Sequence, residues 1–207
     1  MSETLLENRD YVVILAKSPE NPQGSFLPLD RWQVASSSMV ALASKCSEFD
    51  PDGITVYITD DSLKKYERVK PEQIAVLFQD FLETAPPATN KLAEALQTAL
   101  DDYFARKADG QTKKNGEILI VVTDEEPQER QEVVKAIVNA THQINQDEEL
   151  GIGFAQIGEH SITQGFFSSL DDDLQMAGAR FDIVDTKVLE TIEVNSFSQF
   201  LLDIIQD

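Results

Sequence analysis

Cysteine is nearly absent from this chain. Cys46 is the only one, so no disulfide can close within the chain and no cysteine metal cluster can form. Histidine is almost as scarce: His142 falls on an expected helix and His160 in a loop, with no partner at zinc spacing. No apolar run approaches the roughly 20 residues that span a bilayer, which argues against membrane insertion. The start, Met1 to Asp10, lacks the basic region and apolar core of a signal peptide, so the expected location is cytoplasmic. Positive charge is short as well, with 17 basic residues against 37 acidic ones and a formal net charge of −20. Phosphate backbones are held by Lys and Arg, so the charge argues against nucleic acid as a partner. The imbalance is steepest from Ala136 to Asp207, where two basic residues face thirteen acidic ones. Such a surface keeps a protein soluble and attracts cationic patches. No glycine-rich phosphate loop and no Gly-x-Ser-x-Gly elbow occur; Gly151-Ile152-Gly153 starts a strand instead of a helix. Asp171-Asp172-Asp173 could attract calcium, though an acidic run is more often a solvated face.

What is present is an alternation of strands and helices. Ile118-Leu119-Ile120-Val121-Val122 is a run of five apolar residues, four of them β-branched, as in a strand buried on both faces. Tyr11 to Leu15, Ile54 to Ile58, Ile152 to Ile157 and Phe181 to Val184 read as further strands, and Tyr66 to Val69 as an edge strand. Trp32, Ala35, Met39, Leu42, Cys46 and Phe49 recur at three- and four-residue steps, giving a helix that faces the sheet, with Asp30 as its cap. Further helices are expected from Pro71, through Leu92 to Tyr103, from about Gln128, over Phe166 to Ala177, and around Phe197 to Ile204. Strands separated by helices specify a doubly wound α/β fold, a mainly parallel central sheet flanked by helices. The expectation is a single domain over 1–207, with its core at about 10–192 and a closing helix at about 195–207.

In open α/β sheets, ligands sit beyond the carboxyl ends of the strands. Three segments fall there: Ala16-Lys17-Ser18-Pro19-Glu20, Ala88-Thr89-Asn90 and Thr123-Asp124-Glu125-Glu126-Pro127. Together with Arg31-Trp32 and Phe49-Asp50-Pro51-Asp52-Gly53-Ile54, they make the chain resemble the von Willebrand factor A family, in particular its small stand-alone bacterial domains. The resemblance implies a magnesium site built from Asp-x-Ser-x-Ser, a Thr and a distal Asp. Ser18, Thr89 and Asp124 match that motif; Ala16 stands in place of its first acid, and Glu20 in place of its second Ser. Ser18, Glu20, Thr89 and Asp124 are thus the candidate ligands of a degenerate site, which holds magnesium weakly or holds no metal. The bland alternative is that Ser18, Thr89 and Asp124 only cap turns and helices.

The resemblance also implies a non-catalytic module that binds another protein through this edge. Phe26, Leu27 and Leu29, in the irregular stretch from Ser18 to Asp30, would add an apolar contact patch, and Glu125 and Glu126 an acidic rim suited to a basic patch on the partner. The competing reading is a magnesium-dependent phosphohydrolase or a phospho-accepting regulator. It lacks a second strand-end acid, because of Ala16, and a poised His or Cys base, so no catalytic residue is assigned.

Overall fold

The computed structural model describes residues 3–19, 28–158 and 161–206; for 28–30 and 161–164 the description covers the backbone alone. In chain order the elements are β1 (Asp10–Ala16), α1 (Pro28–Phe49), β2 (Ile54–Thr59), β3 (Leu63–Val69), α2 (Pro71–Glu83), α3 (Leu92–Ala108), β4 (Glu117–Thr123), α4 (Arg130–Thr141), β5 (Leu150–Gln156), α5 (Ser161–Asp172), β6 (Val184–Val188) and α6 (Phe197–Asp203). The sheet runs in the order β3-β2-β1-β4-β5-β6, parallel throughout except for β3. This is the doubly wound, mainly parallel architecture of Rossmann and von Willebrand factor A folds.

Alternation along the central strands sorts side chains onto two faces. Tyr11, Val13, Leu15, Ile118, Ile120 and Val122 pack with Trp32, Met39, Leu42, Phe78 and Phe81. Val12, Ile14, Leu119 and Val121 pack on the other face with Leu96, Tyr103, Val133, Ile137 and Phe167. All seven residues of β4 are buried. Each large aliphatic side chain so buried contributes about 1.5–3 kcal/mol. Phe49 is partly buried at the edge of the first cluster, on the same helical stripe as Met39 and Leu42.

Glycines let the last helix approach β5. A Cβ at Gly151 or Gly153 would lie 2.6 or 2.3 Å from the Ile204 side chain. Gly116, just before β4, has φ +86° and leaves room for the Glu149 carbonyl, which a Cβ would meet at 1.7 Å. Proline and a reciprocal side chain start α2: Pro71 is its first residue, and the Lys70 N–H donates to Gln73 Oε1 at 2.9 Å.

The largest departures from expectation fall at four places. Helix α1 begins at Pro28, so Asp30 lies within the helix and is not its cap; proline's fixed φ suits a first helical position. Strand β3 starts at Leu63, earlier than Tyr66, because it pairs antiparallel with β2 straight after a tight turn. Strand β6 is Val184–Val188, not Phe181 to Val184; only its first residues are buried, so pairing with β5 defines it where hydropathy does not. The expected helix from Phe166 to Ala177 is α5 followed by a 3₁₀ turn at Leu174–Ala177.

Candidate functional site

The chain winds outward from β1 through β2 to β3, then returns to the other side of β1 with β4. Winding therefore reverses between β1 and β4, and their carboxyl ends border the crevice where such folds bind ligands. Ser18 and Asp124 meet there. The Ser18 N–H donates to Asp124 Oδ1 at 2.9 Å, and its hydroxyl donates to Asp124 Oδ2 at 2.8 Å. Both residues are buried, Asp124 at 2% exposure. The Thr123 hydroxyl donates to the Glu125 carbonyl at 3.0 Å and tightens the turn that carries Asp124.

Between β1 and Ser18 stands Lys17, a buried ammonium. Its Nζ donates to the Phe81 carbonyl at 2.6 Å, the Thr84 carbonyl at 2.9 Å and Thr84 Oγ1 at 3.2 Å, and lies 4.4 Å from the centre of the Phe81 ring. Those carbonyls end α2, so the positive charge rests on the negative end of the helix dipole. Burial pulls the Lys17 ammonium down to about 8, and the Asp124 and Asp60 carboxylates draw it back up. Sequence reading passed over this residue. Its signal was a lysine directly following a strand with no polar break.

Among the described residues, neither Ala16 nor Thr89 bonds to this pair. Ala16 is fully buried in the core and offers no ligand atom. Thr89 is exposed on the loop before α3, beside a shallow depression bordered by Lys91, Glu94 and Glu129. Among the described residues no hydrogen bond links it to Ser18 or Asp124. Its neighbour Asn90 caps α3 through Oδ1, which accepts the Leu92 N–H at 2.8 Å. Glu20, Phe26, Leu27 and His160 lie outside the described residues, and Leu29 belongs to α1. Glu125 and Glu126 are half-buried, and Glu126 pairs with Arg130 one turn on. His142 Nε2 bonds the Gly178 carbonyl at 3.0 Å, a structural tie.

Magnesium asks for near-octahedral oxygens at short range. Here both Asp124 oxygens accept from Ser18, Ala16 supplies nothing, and a lysine charge already faces the carboxylate. Among the described residues, this donor set does not fit a tightly held ion. A different acidic group lies at the opposite end of the sheet. Asp10, Asp50 and Asp52 have ligand oxygens within 4.8 Å of one another, a spacing able to hold a divalent ion weakly. Lys113 reaches all three, at 3.2, 2.5 and 3.1 Å, and competes for that place. Burial pushes the Asp50 carboxyl up while Lys113 draws it down. In the sequence, Phe49-Asp50-Pro51-Asp52-Gly53-Ile54 supports the family resemblance and gives no sign of a ligand group.

Beside that group, Glu117 opens β4 fully buried. Burial pushes its carboxyl up to about 7, against the pull of Arg106, which bonds its Oε2. Asp185 is likewise pushed up, to about 6, by burial and held back by Lys187. Between the ordinary 4.5 and about 7, the folded chain keeps a proton on Glu117 that the unfolded chain releases. Unfolding is therefore favoured as pH rises through that window. Stability should increase as pH falls from about 7 to about 5, by about 2 kcal/mol from Glu117. Denaturant melts across this range check it. Glu117→Gln should flatten the profile, and a wild-type profile that climbs with pH would contradict the assignment.

No protein-family model matches the chain, and no curated protein matches it. Among solved structures it is similar to proximal thread matrix protein 1 from the mussel byssus, with TM-score 0.56 and 14% identity over 96% of this chain and 48% of that one. It is also similar to the manganese-loaded TRAP protein of Plasmodium vivax, with TM-score 0.56 and 11% identity over 96% of this chain and 74% of that one. The chain spans about half the length of the first of these. At such identities the likeness is one of fold alone: a doubly wound, mainly parallel α/β sheet. None of the described helices is long and apolar enough to cross a membrane.

Proposed function

We propose that this chain is a non-catalytic, protein-binding module of the von Willebrand factor A type with a degenerate metal site. The observation that carries the reading is the closed pair Ser18–Asp124. The carboxylate that would hold metal or attack substrate is buried, and both its oxygens are engaged within the protein. A phospho-accepting aspartate needs a free oxygen, so this burial favours binding over phosphoryl transfer. One structural neighbour is manganese-loaded; in this chain, magnesium at Ser18, Glu20, Thr89 and Asp124 is weak or absent.

The partner is another protein bearing a basic patch, in keeping with the net charge of −20. Phe26, Leu27 and Leu29 provide the apolar contact, and Glu125 and Glu126 the acidic rim. A cytoplasmic, bacterial setting completes the reading. The test is capture of partners on the immobilised chain, with and without chelator. Capture should survive chelation and fall with the double change Phe26→Ala, Leu29→Ala, since such anchors are worth about 1–2 kcal/mol or more each. Magnesium should leave the melting curve almost unmoved, whereas saturation at 100 times the dissociation constant would add about 2.7 kcal/mol. Binding lost on charge reversal at Asp171, Asp172 and Asp173, but kept by the double variant, would place recognition on the acidic back of the molecule instead.

A further inference from the structure

A cleft of about 450 Å³ opens between α3 and the β2–β3 pair, at the amino ends of β1 and β4 and so at the far end of the sheet from Asp124. Its size falls in the range of small-molecule sites, about 300–1,000 Å³. Seven of its lining residues are acidic and three are basic. Two of those bases are already committed, and Lys113, outside the lining, pairs with Asp10, Asp50 and Asp52. Lys65 pairs with Asp102 at 2.8 Å and Glu67 at 2.7 Å, and Arg106 pairs with Asp10 at 2.7 Å and with Glu117. The Tyr57 hydroxyl donates to Asp102 at 2.5 Å.

Glu117 is the group left incomplete. It is fully buried; Arg106 occupies Oε2, and Oε1 has no partner. A buried polar atom left unpaired costs about 1–3 kcal/mol, so the site lacks a donor. Between the carboxylates the wall is apolar, made by Val12, Ala99 and Ala105.

We propose that this cleft binds an alkylammonium group, its N–H donors meeting Glu117 and the neighbouring carboxylates and its methylenes lying on Val12, Ala99 and Ala105. An anion is repelled by the lining. A bare divalent ion fits less well, because it needs several oxygens at short range and Arg106 already stands at both Asp10 and Glu117. An ammonium group satisfies single acceptors one at a time and tolerates the arginine beside it. The chemistry is shared by a free amine and by the lysine side chain of another protein.

Calorimetric titration of the full chain at pH 8, where Glu117 is ionised, with 1,4-diaminobutane and with Nα-acetyl-lysine methylamide separates these sources. Saturable binding of at least one probe is expected. Glu117→Gln should weaken it by about tenfold, the loss of one charge-assisted hydrogen bond. Ala105→Trp, on the exposed face of α3, should close the mouth and abolish it without disturbing the fold. Tighter binding of the diamine identifies a free amine as the ligand, and tighter binding of the lysine probe identifies a partner's side chain. Failure of both probes to saturate overturns the proposal. So does binding that ignores both substitutions, because Glu117→Gln removes one charge of a large excess and leaves unspecific attraction intact. Either result is independent of recognition at the Asp124 edge.

Discussion

Gly116→Ala should come close to unfolding the protein, at a cost above about 4 kcal/mol. Two penalties add. The residue holds φ +86°, which L side chains rarely adopt, and its new Cβ would lie 1.7 Å from the backbone oxygen of Glu149. Backbone cannot swing aside as a side-chain tip can. Relief would need the start of β4 to part from the turn that leads into β5, where Glu117 pairs with Leu150. Two other glycines provide the scale. Gly110 has φ +68° with nothing within 4 Å, so Gly110→Ala should cost only about 1 kcal/mol. Gly165, within α5 and open to solvent, should gain about 0.5–1 kcal/mol on change to alanine. Chemical unfolding of the three variants should return that order. A Gly116→Ala protein as stable as Gly110→Ala would show that the approach to Glu149 can relax.

Lys17→Met should be the next most damaging change, at about 3–5 kcal/mol. The thioether fills similar space, but the Phe81 and Thr84 carbonyls lose their donor, and Asp124 stays buried without the nearest opposite charge. Asp124→Asn should also destabilise, by weakening the bonds that order Ser18. The double variant should lose less than the sum of the two, because each single change strands the other partner. Equilibrium unfolding of the four proteins gives the coupling directly. Should Lys17→Met lie within about 1 kcal/mol of the parent, the ammonium is not part of the scaffold, and the closed-site argument fails with it.

The central sheet was legible in the sequence wherever both faces of a strand are covered. Ile118 to Val122 and Tyr11 to Leu15 are unbroken apolar runs because helices pack on either side. Strand β6 was misplaced for the opposite reason: Asp185, Thr186 and Lys187 engage Lys187, Asp171 and Asp203, so its pattern is ionic where a pleat is usually apolar. At the carboxyl edge, Asp124 could be named from its place just past β4, and Ser18 from the family motif that the segment after β1 resembles. Lys17 could not, since its meaning lies in carbonyls more than sixty residues away. Glu117 and Arg106 were missed on similar grounds. A glutamate ahead of an apolar run reads as the solvated start of a strand, and only the approach of α3 turns it into a buried acid.

Strand order also sets a timetable. β1 pairs on one side with β2 and on the other with β4, its Val12 lying opposite both Thr55 and Leu119. During synthesis the first partner emerges soon, but the second arrives only after β3, α2 and α3 have been made. At about 5–20 residues per second, that interval lasts several seconds. Throughout it, an apolar strand keeps one edge of backbone donors and acceptors open, the kind of edge that recruits other chains. The nascent polypeptide is thus most exposed to misassembly between the synthesis of β2 and that of β4, and anything that pauses a ribosome between β3 and β4 prolongs that exposure.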